Sequence, residues 1–548
     1  MAAVSEPSIS SSDDHQRVKE FPPNSSRNRS HFFHTRLDDD VCNQKYSGKG
    51  TADDPYVIDY LPDDRQDPLN MSMQRKWVIT FLQAMSALVV TFASSVYASG
   101  IEDVKRHFDV SEEVSILGLS LFVLGFALGP LIWGPMSELY GRRPVYVISF
   151  MAFTAFSVAA PVSPNIQSLL VFRFLSCAFG SSSMTNGGGV ITDMLTKEQR
   201  GAAMGAFVTA PFLGPALGPI AGGFLVETQG WRWTLGLIAI MAGVVWIATS
   251  LATPETYAPY ILRSRARALS KMTGSVYVSR LDAGQPPKTL TQELLIALSR
   301  PWVLLFREPI VLLMSLYMSI VYGTLYMFFA AIPIVFQGTR GWNTGAAGLP
   351  FVGVTIGVCL ATVLSGVDNK RYVRLCETRA AKGDTVEPEA RLGATMVSSI
   401  VLPVGLFLFA WTTYPSVHWI APIIGALLFS CGLVLVFISQ LSYLIDCYTV
   451  YSASVLAAGS MLRSLFGTAF PLFTTQMYEN LGDQWASSIP AFLALACVPI
   501  PFLFYKYGPM IRSKCKFASE AARMLELMQR GQDAAVGDEP KKKVGETV

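Results

Sequence analysis

Charged side chains are rare in the apolar stretches of this sequence, so the few that stand there are the candidates for chemistry. Gly134-Pro-Met-Ser-Glu-Leu-Tyr-Gly-Arg-Arg-Pro144 places Glu138, Arg142 and Arg143 between two long greasy segments, 116–133 and 145–162. Arg173 lies within a third segment, and Asp193 closes that segment about 30 Å farther along by helical rise. An arginine and a carboxylate at the ends of apolar helices can form an ion pair that holds a structure shut and parts when it opens. Asp193 can pair with Arg142 or Arg143 in this way; the plain alternative is a surface pair contributing under about 1 kcal/mol. Arg173 is expected to face a polar cavity or a partner, because a charge within hydrocarbon costs at least about 2.5 kcal/mol. Its other reading is an arginine snorkelling to the outer surface, roughly 10 Å away. Covalent chemistry finds no support. There is no nucleotide-binding loop of the G-x-x-x-x-G-K-[ST] type and no catalytic constellation, so the chain is not read as an enzyme.

Candidate binding groups are mostly aromatic. Tyr322 and Tyr326 lie four residues apart on one helical face, with Phe329 one turn on. Facing lipid, the two hydroxyls would be unpaired, which favours a cavity with aromatic walls for bulky apolar ligands. Gln83 and Asn186 are further polar candidates, and packing is the competing reading for all five. Metal and cofactor sites are not expected. The eight cysteines form no C-x-x-C pair and the five histidines have no ligand spacing.

The elements that must position these residues are membrane helices. The chain has 548 residues, 51% hydrophobic and 15% charged, with mean hydropathy +0.38. Soluble proteins carry about 25% charged residues, so this one has too little polar surface to cover itself in water. A net charge of +3 suggests no nucleic-acid partner. Apolar windows fall near 77–97, 116–133, 145–162, 167–191, 201–225 and 233–252, then near 310–335, 346–366, 393–411, 419–440, 452–474 and 487–505. This is an all-α polytopic membrane protein of twelve spans. Residues 77–253 and 310–505 form two six-helix bundles, with a central loop at 254–309 and tails at 1–76 and 506–548. The N-terminal tail reads as disordered from its low hydrophobicity. In 258–269, Tyr260, Ile261 and Leu269 oppose Arg263, Arg265 and Arg267, which reads as an interfacial helix on an anionic leaflet. Arg75, Lys76 and Trp77 read as an interface anchor ahead of the first span.

Basic residues crowd the central loop and the loop after span 8, whereas the opposite-side loops hold only Lys105, Arg106, Arg232 and Arg340. The positive-inside rule then puts both termini in the cytoplasm and both halves in the same orientation. The sequons at Asn24, Asn28 and Asn70 would be cytoplasmic and unused. Span 5 carries Ala206, Ala210, Gly214, Gly218 and Gly222 at intervals of four, with Pro215 and Pro219 loosening the helix. Gly353, Gly357 and Ala361 make a similar strip in span 8, the expected partner across the two halves.

Several of these stretches resemble one family. Gly134, Glu138, Gly141, Arg142 and Arg143 are similar to the loop between spans 2 and 3 of the major facilitator superfamily, G-x-x-x-D-x-x-G-R-[KR], with glutamate for aspartate. Asp67-Pro68, Asn70, Ser72 and Lys76-Trp77 partly match the run before span 1 in fungal twelve-span drug:proton antiporters. Pro254-Glu-Thr-Tyr-Ala-Pro-Tyr-Ile-Leu-Arg-Ser-Arg-Ala-Arg-Ala-Leu269 closely resembles a signature after span 6 in those proteins. Gly214-Pro-Ala-Leu-Gly-Pro-Ile-Ala-Gly-Gly223 looks like their span-5 antiporter motif, carrying Gly214, Pro215, Gly218, Pro219, Gly222 and Gly223. Arg173 with Gly180 resembles a span-4 motif linked to proton coupling, the glycine being displaced. Arg463 and Phe466-Gly-Thr-Ala-Phe-Pro-Leu-Phe473 are similar to a span-11 run, with substrate, gate and packing roles all open.

The resemblance implies a major facilitator fold with alternating access and export of a small, largely apolar organic compound. A drug, a fungicide or a self-made toxic metabolite would fit, with protons as the coupled partner. It further implies a monomer in the plasma membrane of a fungal cell, in contact with membrane lipid. Gly134, Glu138, Gly141, Arg142, Arg143 and Asp193 would form an inner gate, Glu138 sitting at a helix N-terminus of the other half. No aspartate or glutamate stands in the middle of any span, so proton coupling rests on the resemblance alone. The alternative is an uptake permease or facilitator for a small organic solute.

Overall fold

Hydrocarbon offers no hydrogen bonds, so each long apolar stretch must satisfy its own backbone, and a helix does this within one segment. The computed structural model describes residues 39–196, 199–283, 289–382 and 386–524. Spans 1 to 6 are Met73–Val96, Glu112–Tyr140, Arg142–Ala159, Ile166–Gly180 continued by Ser182–Met194, Arg200–Gln229 and Trp231–Ala252. Spans 7 to 10 are Pro309–Pro333, Phe351–Ala380, Gly393–Trp411 and Ile420–Tyr448. Spans 11 and 12 lie in Ser452–Cys497, parted at Gly482, whose φ of 73° breaks the helix, and span 12 continues through Pro499–Lys514. Among the described residues, nine helical stretches are long and apolar enough to cross a membrane. The last of these, Ile420–Lys514, itself holds spans 10, 11 and 12, and span 4, interrupted at Ser181, completes the twelve.

Within the first half, span 1 packs on spans 5 and 6, span 2 on span 4, and span 3 on spans 4 and 6. Within the second, span 7 packs on span 11, and span 10 on spans 8 and 9. The halves meet where span 2 lies along span 11 and span 5 along span 8. Val158, Val244, Leu251, Val363 and Val397 are each more than half exposed, an outer apolar surface suited to lipid.

Three expectations fail outside the spans. Residues 39–72 were expected to be disordered, yet they fold against the central loop. Strand β1, Tyr56–Ile58, pairs in parallel with strand β2, Tyr277–Ser279. Ile58, Leu262 and Leu269 are buried together, with Tyr46, Tyr60 and Tyr277 around them. These contacts supply apolar burial that composition averaged over the tail does not reveal. The helix Ala258–Thr273 is therefore not laid freely on a lipid surface. Its Arg265 is fully buried and donates to both carboxylate oxygens of Asp64, at 2.5 and 2.9 Å, while Arg263 donates to Asp282 at 2.6 and 2.7 Å. Burial pushes the Asp64 carboxyl up, but the Arg265 guanidinium and the Gln66 N–H outweigh it and hold it below its ordinary value. Lys76, expected at the interface, is buried with its ammonium on the carbonyl of Leu69 at 2.9 Å, whereas Trp77 is exposed.

The C-terminal boundary also shifts. Span 12 continues past 506 to Lys514, and the N–H of Phe517 donates to buried Glu308 at 2.9 Å. The sequons at Asn24 and Asn28 and the run Lys541–Lys543 lie outside the described residues.

Candidate functional site

The turn between spans 2 and 3 is built on Gly141, whose φ of 92° is open to glycine and strained for other residues. It delivers Arg142 to the first turn of span 3, where Nε donates to Asp193 Oδ2 at 3.3 Å and Nη1 to Ser137 Oγ at 2.7 Å. The guanidinium also lies 4.8 Å from the centre of the Tyr257 ring. Both members of the Arg142–Asp193 pair are largely buried, their side chains 12% and 20% exposed. Arg143 donates to the carbonyl of Ser250 at 3.1 Å, tying span 3 to span 6.

Glu255, which received no role from the sequence, organises this end of the bundle. Its carboxylate accepts from the backbone N–H groups of Arg142, Arg143, Thr256 and Tyr257 at 2.9–3.1 Å. The first N–H groups of a helix have no internal partner and the macrodipole favours an anion there, so Glu255 caps span 3 from 113 residues away. Burial nevertheless pushes the Glu255 carboxyl above its ordinary range, against the pull of those N–H groups. Gly189 is a second omission: a Cβ there would stand 2.7 Å from Arg142 Cζ.

One expected gate residue is placed differently. Glu138 is exposed and makes no ion pair or hydrogen bond among the described residues, so it does not reach the other half. Gly134 has ordinary space beside it, the nearest atom to an added Cβ being Thr185 Cγ2 at 3.6 Å.

The second half repeats this arrangement with different residues. Arg391, just before span 9, donates to Asp446 near the end of span 10 at 3.0 Å, as Arg142 does to Asp193. Beyond span 6 the cap is Glu255 on the arginine turn; in span 12 the signs reverse, and Arg512 reaches buried Glu389 at 3.3 Å. Sequence reading found neither second-half pair, because no short motif carries them.

Span 5 corrects an expectation. A Cβ added at Gly214, Gly218 or Gly222 would run into Thr91, Ser95 and Val96, or Ser99, all on or following span 1. The strip therefore faces span 1 inside its own half. Gly353 and Gly357 likewise face Ile423, Leu427 and Ser430 of span 10, not span 5. Spans 5 and 8 touch instead through polar side chains, Thr209 and Thr362 bonding at 3.0 Å. At the far end of span 5, Glu227 accepts from Asn343 Nδ2 and the Gly345 N–H, both at 2.9 Å, and Gly223 lies against Thr344. Pro215 and Pro219 leave span 5 helical from Arg200 to Gln229.

Gly218→Leu is expected to abolish transport, because the added atoms would meet the Val96 backbone nitrogen, 2.8 Å from the first of them. Overpacking of this kind costs typically about 1–3 kcal/mol and more against backbone. The measurement is export normalised to protein in the membrane, and unchanged export would show that spans 1 and 5 need not pack this closely.

The aromatic candidates are packed together at the seam. Tyr322 donates to Tyr326 at 3.4 Å, Tyr326 to Ser94 Oγ of span 1 at 3.0 Å, and Ser94 to the Thr91 carbonyl at 2.6 Å. Phe329 meets Tyr326 edge-on, and Phe437 of span 10 lies against Phe212 of span 5. Gln83 and Asn186 sit elsewhere, lining a small enclosed cavity with Arg142, Arg143, Tyr146 and Thr249. Gln83 Oε1 and both polar atoms of Asn186 are buried there without hydrogen-bond partners in the structure.

Arg173 does not snorkel. It is 2% exposed, donates from Nε to the Gly118 carbonyl at 3.0 Å and from Nη1 to the Ala93 carbonyl at 2.8 Å. Its guanidinium lies 4.6 Å from the Tyr97 ring and 4.3 Å from the Phe122 ring. Such contacts with rings are worth about 0.5–2 kcal/mol each and keep a buried cation tolerable without a carboxylate. It thus joins spans 1, 2 and 4.

The family model described as Major Facilitator Superfamily matches residues 83–471. The efflux pump FUB11 of Gibberella moniliformis is 54% identical over 525 residues, covering 96% of this chain and 87% of its own. The efflux pump FUBT of Fusarium oxysporum is 55% identical over 508 residues, covering 93% and 85%. The major facilitator superfamily multidrug transporter mdrA of Aspergillus fumigatus is 51% identical over 499 residues, covering 91% and 82%. Among solved structures, the proton:xylose symporter XylE shares the fold at a TM-score of 0.57 and 15% identity, covering 80% of this chain and 96% of that one.

Proposed function

This chain belongs to the major facilitator superfamily, a multi-pass membrane transporter for small molecules, and we propose that it exports small, largely apolar organic compounds by proton antiport with alternating access. The observation that carries this reading is similarity to named efflux pumps at more than half identity over nearly the whole chain. The geometry supports it. Besides the length of span 2 along span 11 and the Phe212–Phe437 contact, the halves meet through breakable polar contacts at Thr209–Thr362, Glu227–Asn343 and Tyr326–Ser94. The close glycine packing of span 5 on span 1 and of span 8 on span 10 lies within each half. Such a build favours rocking of two bundles over deformation within either.

In this reading the end bearing Arg142, Asp193 and Glu255 faces the cytoplasm and works as the inner gate. Arg391, Asp446, Glu389 and Arg512 form its counterpart in the second half. The pairing of β1 with β2 requires residues 56–58 and 277–279 to lie on one side of the membrane, as six crossings between them demand. The plasma membrane and a monomeric protein complete the proposal. Arg173 tunes the group that carries the proton, since an arginine keeps its own charge. Everted vesicles in a medium containing a fluorescent apolar dye provide the test: an imposed pH gradient, acid inside, is expected to drive dye uptake at several times the rate seen without it. Equal rates with and without the gradient would remove proton antiport, and uptake only in right-side-out vesicles would favour the permease.

A further inference from the structure

Arg463 has no place in the gate or in the span contacts described above. It stands about 17 Å along span 11 from Ser452 by helical rise, near the middle of a bilayer. Its guanidinium lies 5.1 Å from the Tyr322 ring and 5.4 Å from the Phe437 ring, at the seam where Phe437 touches Phe212 of the other half. Nη2 donates to Ser460 Oγ at 3.2 Å, and Nε is buried without a hydrogen-bond partner. No carboxylate pairs with it among the described residues, whereas Arg142, Arg265, Arg391 and Arg512 each have one. At the far end of the Tyr322–Tyr326–Ser94 thread stands Arg173, also paired with no carboxylate and held by carbonyls.

Around Tyr322 and Phe437 the seam therefore holds the fixed charge of Arg463, with that of Arg173 just inside the first half. Among the described residues neither is paired with a carboxylate, in a place where Coulomb interactions are weakly screened. A neutral ligand leaves the Arg463 charge unmet, and a cation is repelled by it. An anion both neutralises the charge and supplies acceptors for the guanidinium edge whose Nε is orphaned. A planar carboxylate fits that edge through two parallel hydrogen bonds. The rings of Tyr322 and Phe437 are packed on each other beside Arg463 and on the Phe212 side of the seam, and would flank a flat apolar body once the halves part.

We propose that Arg463 is the charge anchor of the substrate site, and that the exported class is aromatic or flat apolar carboxylic acids, bound as their anions. The proposal rests on the transporter reading and narrows its apolar substrate to an acid. The test is equilibrium binding to the purified full-length protein in detergent at neutral pH. The probes are benzoate, 1-naphthoate and biphenyl-4-carboxylate, each set against its uncharged amide. At least one acid is expected to bind roughly ten- to a hundredfold more tightly than its amide, the worth of a charge-assisted contact. Arg463→Gln is expected to bind acid and amide alike, and Arg463→Lys to keep part of the preference. Equal affinity of acid and amide in the wild type, no binding of any acid, or a preference surviving in Arg463→Gln would each overturn the proposal. Should Arg463→Gln fail to give a monodisperse protein, the wild-type ratio and Arg463→Lys decide. Everted vesicles separate this inference from the export reading. Export of amides but not acids sinks the anion site and keeps export; acids that bind tightly but are never exported sink export and keep the site.

Discussion

Arg173→Ala is expected to lower proton-gradient-driven export in vesicles more than tenfold against wild type at equal protein, and Arg173→Lys to retain a part of it. The expectation follows from the two carbonyls it joins. Gly118 O on span 2 and Ala93 O on span 1 are reached at 3.0 and 2.8 Å by two nitrogens of one planar fork. Hydrogen bonds from a charged donor contribute about 1.5–3 kcal/mol each. Lysine keeps the charge but ends in a single point donor, so it can hold one helix better than two. Alanine removes charge, bonds and the stack on Tyr97 and Phe122 together. Thermal unfolding in detergent distinguishes coupling from scaffolding. If both variants lose stability in step with transport, Arg173 only fastens spans 1, 2 and 4. An alanine variant exporting at the wild-type rate would remove it from the mechanism.

Arg142→Ala is expected to lose transport while reaching the membrane at near-normal levels. The structure gives a reason for the second half of that statement. Glu255 grips the backbone N–H of residue 142 rather than its side chain, so the cap on span 3 survives the substitution. What disappears is the pair with Asp193, the bond to Ser137 and the stack on Tyr257. Asp193 is then left largely buried and unpaired, which is costly when one partner of a buried ion pair is removed. Arg142→Ala with Asp193→Asn should therefore recover stability but not transport. Full transport by Arg142→Ala alone would dismiss the pair as a gate.

How much of this was legible depends on what kind of signal each feature leaves. The spans were readable because a bilayer forces about twenty apolar residues into one segment, and the observed helices fall on those windows. Span 4 shows the limit, since the interruption at Ser181 leaves no mark in a hydropathy window. The glycines at intervals of four told which face of span 5 is smooth, but not which helix lies on it. Span 1 and span 8 are equally compatible with that spacing, and only the fold decides for span 1. Arg142 and Asp193 carried opposite charges at matching depths, and so could be brought together on paper. Glu255 could not, because its partners are backbone N–H groups that every residue but proline possesses. The folded tail escaped notice for a similar reason: three-residue strands leave almost no pattern.

That small parallel sheet amounts to a parity check on membrane insertion. Strand β1 is synthesised before any span and β2 only after six have been threaded. Each crossing moves the growing chain to the other side of the bilayer, so the strands can meet only after an even number of crossings. A nascent chain that skips one span among the first six strands Tyr277–Ser279 across the membrane from Tyr56–Ile58. Arg265 and Asp64 would be parted with them, each without the partner it is buried against in the closed clasp. Correctly threaded chains close the clasp and bury both charges; chains with an odd count leave open two unpaired strand edges and an apolar helix face. Exposed surface of that kind is what chaperones and proteases act on, so an error made inside the bilayer becomes readable outside it.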